Sequence, residues 1–71
     1  MKTYIVEYRE SERGFGGEIW YRRFNTELEA HKEVFDTNAD LPLVAPDYYI
    51  CASYVGVDEY NNPRYDQTYK F

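Results

Sequence analysis

Cysteine and histidine are almost absent from this sequence. It contains one cysteine, Cys51, and one histidine, His31, among 71 residues. A single cysteine cannot close a disulfide within the chain, and the two residues together cannot form a zinc site of the usual Cys and His ligands. Cys51 lies in an apolar run, which is typical of a small buried hydrophobe. We expect a cytoplasmic protein, without a metal or other cofactor.

Long apolar runs are also missing. The start of the chain, residues 1–4, is not followed by the apolar stretch of a signal peptide, and no run approaches the length that crosses a membrane. We therefore expect no membrane partner. A chain of 71 residues forms at most one domain with a small core. Residues 1–71 are predicted to be that single domain.

Residues with catalytic potential are few. His31 is the one side chain that titrates near neutral pH without special surroundings, and it falls on the predicted apolar side of a helix, where it would serve packing. The glycine-rich residues 14–17 join two predicted strands instead of opening a helix, which excludes a phosphate-binding loop. The acidic residues lack the spacing of a calcium loop. We predict that the protein is not an enzyme.

The pattern that is present predicts a small antiparallel sheet. Residues 3–9 and 18–24 are rich in aromatic and β-branched side chains, and they predict two strands joined by a hairpin. The nearly continuous apolar run 48–57 predicts a third strand in the middle of the sheet. The alternating residues 64–71 predict a fourth strand that forms a hairpin with the third.

One helix is predicted between the second and third strands. Residues 26–29, Thr-Glu-Leu-Glu, match a capping box with Thr26 as the N-cap, and Asn38 is a candidate for a left-handed C-cap. The resulting order, ββαββ, predicts an α+β fold with the helix packed on one face of the sheet. The helix is predicted to face the sheet with Leu28, His31, Val34 and Phe35, with Ala30 at the edge of that side. In the loop that follows, Leu41, Leu43 and Val44 are predicted to pack against the core.

Acidic residues are concentrated in one half of the chain. The whole chain has 13 acidic and 8 basic residues, and residues 27–59 contain eight of the acids with Lys32 as the only base. On the helix, three acids lie within about 60° of arc and would form an outward stripe. We predict a row of carboxylates formed by Glu29, Glu33, Asp36 and Asp40, with Asp58 and Glu59 added at a hairpin tip. Acids late in a helix oppose its dipole, which indicates a role in binding; the alternative is a charged face that serves only solvation.

In overall design the chain resembles the small acidic proteins with which bacteriophages disable host machinery early in infection. The features that prompt this are the opening residues 1–8, the capped helix within residues 24–31, and the tyrosine-rich acidic finish. The resemblance implies a phage protein of the host-takeover group, which includes DNA mimics that block the nucleoid protein HU, anti-CRISPR proteins and inhibitors of RNA polymerase. It implies no catalytic or ligand residues.

Two functions follow as expectations. The first is a DNA-mimicking inhibitor whose carboxylate row occupies the basic nucleic-acid-binding surface of a host protein, with HU as the first candidate. The second is a protein-interaction module, or a homodimer, that uses an exposed aromatic sheet face with Trp20 and Tyr21 as anchors. Direct binding of nucleic acid is disfavoured, because the net charge is −5 and phosphate contacts need cations.

Overall fold

The structure is a computed structural model that describes residues 2–12, 17–39 and 48–70. Within these ranges it contains four strands, one α-helix and one short 3₁₀ turn. The strands are β1 (Thr3–Glu12), β2 (Glu18–Phe24), β3 (Tyr48–Asp58) and β4 (Tyr69–Lys70), the helix is α1 (Glu27–Ala39), and the 3₁₀ turn is Pro63–Asp66. The predicted packing of Leu41, Leu43 and Val44 lies outside the described residues.

The predicted α+β architecture is confirmed. The strands form one antiparallel sheet in the order β3-β1-β2-β4, and α1 packs on one of its faces. β1 lies between the two other long strands, with Tyr8 opposite Trp20 of β2 and Ala52 of β3. The central strand is therefore the first one in the chain.

The core lies between the sheet and α1. Val6, Tyr8, Ala30 and Ala52 form its buried cluster. Around them pack six partly buried side chains, those of Tyr4, Trp20, Phe24, Val34, Ile50 and Tyr54. Because alternate residues of a strand point to the same face, the side chains of Tyr4, Val6 and Tyr8 of β1 and of Trp20 and Phe24 of β2 all point towards α1. Cys51, from the next position of β3, is only partly buried.

The predicted N-cap of α1 at Thr26 is confirmed. The Oγ1 of Thr26 accepts a hydrogen bond from the backbone N–H of Glu29 at 3.1 Å, and the Thr26 carbonyl accepts one from the N–H of Ala30 at 3.2 Å. Thr26 thus satisfies one of the N–H groups that the first helical turn leaves free.

The predicted inward face of α1 is confirmed for Val34 and wrong for Leu28, His31 and Phe35. Leu28 is 79% exposed and Phe35 is 72% exposed, whereas Ala30, expected at the edge, is fully buried. His31 is also exposed, although the centroid of its ring lies 4.3 Å from that of Tyr54. The reason is steric, because the sheet face already carries large aromatic side chains and a small residue lets the helix approach it closely.

Two predictions about the sheet are also wrong. β3 lies at the edge of the described sheet and not in its middle, and β4 is two residues long and pairs with β2 instead of β3. After β3, Asp58 accepts hydrogen bonds from the N–H groups of Tyr60 and Asn62 at 3.0 and 2.8 Å. Asn61 between them has a positive φ of 52°. This turn sends the chain across the end of the sheet towards β2, so no β3–β4 hairpin forms.

Asn38 connects α1 to the edge of β3. Its Nδ2 donates to the carbonyl of Ala52 and its Oδ1 accepts from the N–H of Ala52, both at 2.9 Å. The helix continues through Asn38 to Ala39, so the predicted left-handed cap is wrong. The side-chain amide takes the place of a neighbouring strand's peptide group at this point and covers the edge of β3, where an unpaired strand invites association.

Replacing Asn38 should therefore destabilise the fold. Asn38→Ala leaves the N–H and carbonyl of Ala52 without their partner, and we expect the free energy of unfolding to fall by about 1–3 kcal/mol. Urea denaturation followed by circular dichroism measures this change. The matched control is Lys32→Ala on the exposed side of α1, which should change stability by no more than about 0.5 kcal/mol. Equal stability of Asn38→Ala and the wild type would contradict the proposed role.

Candidate functional site

Two carboxylates of the predicted acidic row lie free on the outer side of α1. Glu29 and Asp36 are both exposed, and neither forms an ion pair with any residue that the structure describes. They are separated by seven residues and so lie about 20° apart around the helix and about 10 Å apart along it. Both are therefore available to a partner.

Glu33 does not belong to this surface. Its carboxylate accepts hydrogen bonds from the hydroxyl of Tyr8 and from Nη1 of Arg22, the latter at 2.8 Å. Burial, together with the hydrogen bond to Glu33 and the negative charge of that carboxylate, raises the pKa of Tyr8 to about 12. Glu33 therefore ties α1 to β1 and β2, and the prediction that it faces a partner is not supported by its position.

Asp58 is likewise engaged within the fold. It is buried, and its Oδ2 accepts a hydrogen bond of 2.7 Å from Nη1 of Arg23. Burial opposes ionisation, but the hydrogen bonds from Arg23 and from the backbone N–H groups of Tyr60 and Asn62 outweigh it and hold the pKa of Asp58 below its usual value. Asp58 acts as the centre of the turn after β3.

The other two members of the predicted row add little to it. Glu59, next to Asp58, lies 3.9 Å from the ammonium group of Lys2, and both side chains are more than half exposed. Asp40 lies outside the described residues. The structure thus leaves Glu29 and Asp36 together on one surface and separates Glu33, Asp58 and Glu59 from them.

Trp20 and Tyr21 lie on opposite faces of the sheet and are packed there. Trp20 stacks on Tyr8, with ring centroids 5.6 Å apart. The ring of Tyr21 packs edge-to-face on the rings of Tyr65 and Tyr69, with centroid distances of 5.1 and 6.2 Å. Since neighbouring residues of a strand point to opposite faces, these two side chains cannot form a single docking surface. Their predicted role as joint anchors is therefore not supported by this geometry.

An exposed apolar ridge lies on α1 where the sequence pattern predicted a buried face. We define the outer face of α1 as the residues on the helix side that points away from the sheet: Leu28, Glu29, Lys32, Phe35 and Asp36. Leu28 and Phe35, seven residues apart, lie on nearly the same line along the helix. Beside them is an open groove of about 550 Å³, lined by His31, Val34, Phe35, Asn38 and Ala39.

A signal for this orientation was present in the sequence. Ala30, Thr37 and Val34 lie on one side of a helical wheel, and Ala30 is the residue that allows the closest approach to a sheet. Leu28 and Phe35 were predicted to face the sheet because they are large and apolar. The space between the helix and the sheet is instead filled by the small side chain of Ala30.

The described residues offer no other obvious chemistry. They contain no group of three or more His, Cys, Asp or Glu side chains arranged to hold a metal ion. In the same part of the chain, no helix combines the length and apolar character needed to span a membrane. Comparison of the chain with protein-family models, with curated proteins and with solved structures finds no match. The outer face of α1 is therefore the candidate site on geometric grounds alone.

Removing the Glu33 carboxylate should weaken the fold. Glu33→Ala leaves Tyr8 and Arg22 without their shared acceptor, and we expect a loss of about 1–3 kcal/mol in the free energy of unfolding. The pKa of Tyr8 should also fall from about 12, because the hydrogen bond and the negative charge that raise it are gone. Urea denaturation and titration of tyrosinate absorbance measure the two effects, with Tyr8→Phe identifying the Tyr8 transition.

Asp36→Ala is the matched control for that experiment. It removes an exposed acid from the same helix, so stability should change by no more than about 0.5 kcal/mol and the Tyr8 titration should not move. If Glu33→Ala behaves like this control, Glu33 is not a structural anchor.

The stability that Asp58 supplies should depend on pH. A carboxyl group whose pKa is lowered in the folded state stabilises the fold above its unfolded pKa of about 3.9, and that contribution is lost as the pH falls through the folded pKa. Wild type should exceed Asp58→Asn in stability by a constant amount from about pH 7 to pH 5, and the gap should narrow below about pH 4. Urea denaturation over this range measures it, and a gap that persists unchanged in acid would contradict the prediction.

Proposed function

We propose that this chain is a non-enzymatic binding protein that places the outer face of α1 against a basic surface of another protein. The observation that carries the proposal is the pair Glu29 and Asp36, which are exposed on one side of α1 without an ion pair among the described residues. The ion-paired acids of the fold, by contrast, have their cations supplied from within the chain.

The charge of the chain as a whole favours the same kind of partner. The net charge is −5, so a basic surface is attracted from a distance, and association is faster at low salt than at high salt. Lys32 is the one cation on the outer face of α1, and it offsets only part of the charge of Glu29 and Asp36.

Occupation of the nucleic-acid-binding surface of a host protein, with HU as the first candidate, is the specific form of this proposal. Phosphates along one DNA strand are about 3.4 Å apart, whereas Glu29 and Asp36 are about 10 Å apart along the helix. The geometry therefore supports a local contact with a basic surface better than an extended imitation of a DNA strand. Inhibition of a CRISPR effector or of RNA polymerase would use the same contact on a different partner.

Charge reversal on α1 should abolish this binding. We expect Glu29→Lys/Asp36→Lys to lose its ability to displace labelled duplex DNA from purified HU, while the wild type displaces it and does so more weakly as salt rises from about 50 to 200 mM. Fluorescence anisotropy measures displacement, and far-UV circular dichroism checks the fold. Affinity capture from a bacterial lysate, with the wild type and the variant immobilised in turn, extends the test to other basic partners.

The matched control is Glu10→Lys/Glu18→Lys. It changes the net charge by the same amount, but on strands β1 and β2 instead of α1. Since Glu10 accepts a hydrogen bond from Tyr48 and Glu18 lies 3.8 Å from the ammonium group of Lys70, circular dichroism checks the fold of this control as well. This control should retain most of the activity at low salt. If both variants lose binding, total charge explains the effect, and if both keep it, binding depends neither on total charge nor on the two α1 carboxylates. In either case the outer face of α1 has no special role.

A further inference from the structure

The outer face of α1 carries more exposed apolar surface than an electrostatic contact needs. Leu28 and Phe35 are 79% and 72% exposed, compared with 43% for Val55 and 50% for Val57 on β3. A surface helix normally turns its large apolar residues towards the core and its polar residues towards water. In α1 two large apolar side chains point outward, whereas the sheet side carries the smaller Ala30 and Val34 together with polar contacts from Glu33 and Asn38.

These two side chains form a ridge with a groove beside it. They are about 10 Å apart along the helix, which is two helical turns, and Lys32 lies between them with an aliphatic stem that can pack on a neighbour. The groove of about 550 Å³ runs along one side of Phe35 and is lined by His31, Val34, Asn38 and Ala39. Two apolar side chains seven residues apart have the spacing at which one helix repeats its contacts along another.

The charges beside the ridge specify the partner. Glu29 and Asp36 lie on the side of the ridge opposite to His31, about 80–100° away from Leu28 around the helix. A helix packed on the ridge would hold its own flanking side chains next to these carboxylates, and cations at those positions would be paired. We infer that the outer face of α1 packs against a cationic amphipathic helix of the partner protein, an inference that rests on the proposed function and gives the chemistry of its partner.

A second copy of this chain fits the same face less well. If two α1 helices packed antiparallel about a twofold axis, the side that carries Glu29 and Asp36 would face the same side of the other copy. Four carboxylates would then lie together, in a protein whose net charge is already −5. A cationic helix supplies the opposite charge at these positions.

An extended peptide is also a poorer match. Strand addition needs free backbone groups at a sheet edge, and α1 has none along its length because its backbone is hydrogen-bonded internally. At the edge of β3, the N–H and carbonyl of Ala52 are already taken by the Asn38 side chain. Helix-on-helix packing uses side chains alone and needs neither.

Two labelled peptides of equal charge test the inference with the intact protein. One is a leucine–lysine sequence of about 15 residues that forms a cationic amphipathic helix, and the other is an oligolysine that offers cations without an apolar face. We expect the amphipathic peptide to bind at least about tenfold more tightly at about 150 mM salt, since only it covers the ridge. Fluorescence anisotropy gives the two Kd values.

Variants then locate the contact. Leu28→Ser/Phe35→Ser should reduce binding of the amphipathic peptide by about tenfold or more and leave oligolysine binding unchanged. Glu29→Gln/Asp36→Asn should weaken the binding of both peptides and make both Kd values less dependent on salt. The matched control, Val55→Ser/Val57→Ser, removes exposed apolar surface from β3 and should change neither Kd.

Each remaining outcome overturns the inference in a distinct way. The wild type could bind the two peptides equally well and Glu29→Gln/Asp36→Asn could bind neither. That result would support the proposed function but contradict a helix as its partner. Binding that is insensitive to both α1 variants would remove the outer face of α1 from either role. A wild-type dimer in sedimentation equilibrium that dissociates in Leu28→Ser/Phe35→Ser would assign the ridge to a second copy of this chain.

Discussion

The packing of Ala30 on the sheet determines how α1 is oriented, and most other features of the molecule depend on that orientation. Ala30 is fully buried in the cluster with Val6, Tyr8 and Ala52. Because its side chain is one methyl group, the helix backbone can lie close to a sheet face that is crowded with aromatic rings. A larger side chain at this position would hold the helix away from the sheet and open a gap around Ala52, in an interior that tolerates few voids.

Two neighbouring arginines of β2 complete this arrangement, one on each face of the sheet. Arg22 reaches Glu33 of α1, and Arg23 reaches Asp58 and Asp66 of the segment after β3. Since consecutive residues of a strand point to opposite faces, this pair connects β2 to both of the layers that cover it. Three of the 13 acidic residues thus receive their cations from these two arginines, although Asp66 remains 60% exposed.

The elements of the fold could be predicted well from local patterns, and their mutual arrangement could not. The bounds of β2 and the Thr26 cap follow from side chains within a few residues, and both match the prediction. The position of β4 beside β2 depends on the turn at Asp58 and on Arg23, contacts between residues far apart in sequence. Alternation in residues 64–71 predicts one strand, but Pro63–Asp66 form a 3₁₀ turn and only Tyr69–Lys70 pair, with β2 and not with β3.

The candidate site was only half predictable for a related physical reason. Glu29 and Asp36 were correctly expected on the outer side of α1, because no inward partner competes for them. Glu33 was expected there too. No pattern within the helix indicates that Tyr8 and Arg22 of the sheet donate hydrogen bonds to its carboxylate. The rule that charged side chains point towards solvent fails wherever a buried or half-buried partner compensates the charge.

The exposed ridge of Leu28 and Phe35 is a consequence of the same competition. Once Ala30 is in contact with the sheet and Glu33 and Asn38 have their partners there, the helix geometry leaves these two large side chains on the opposite side. In an isolated monomer that side contributes no burial, and the hydrophobic effect acts against it. Covering the ridge would remove that cost, and the proposed cationic helix would also bring cations to Glu29 and Asp36. A contact that joins apolar burial to charge pairing is more selective than either alone, because a partner that offers only one of the two leaves the other unsatisfied.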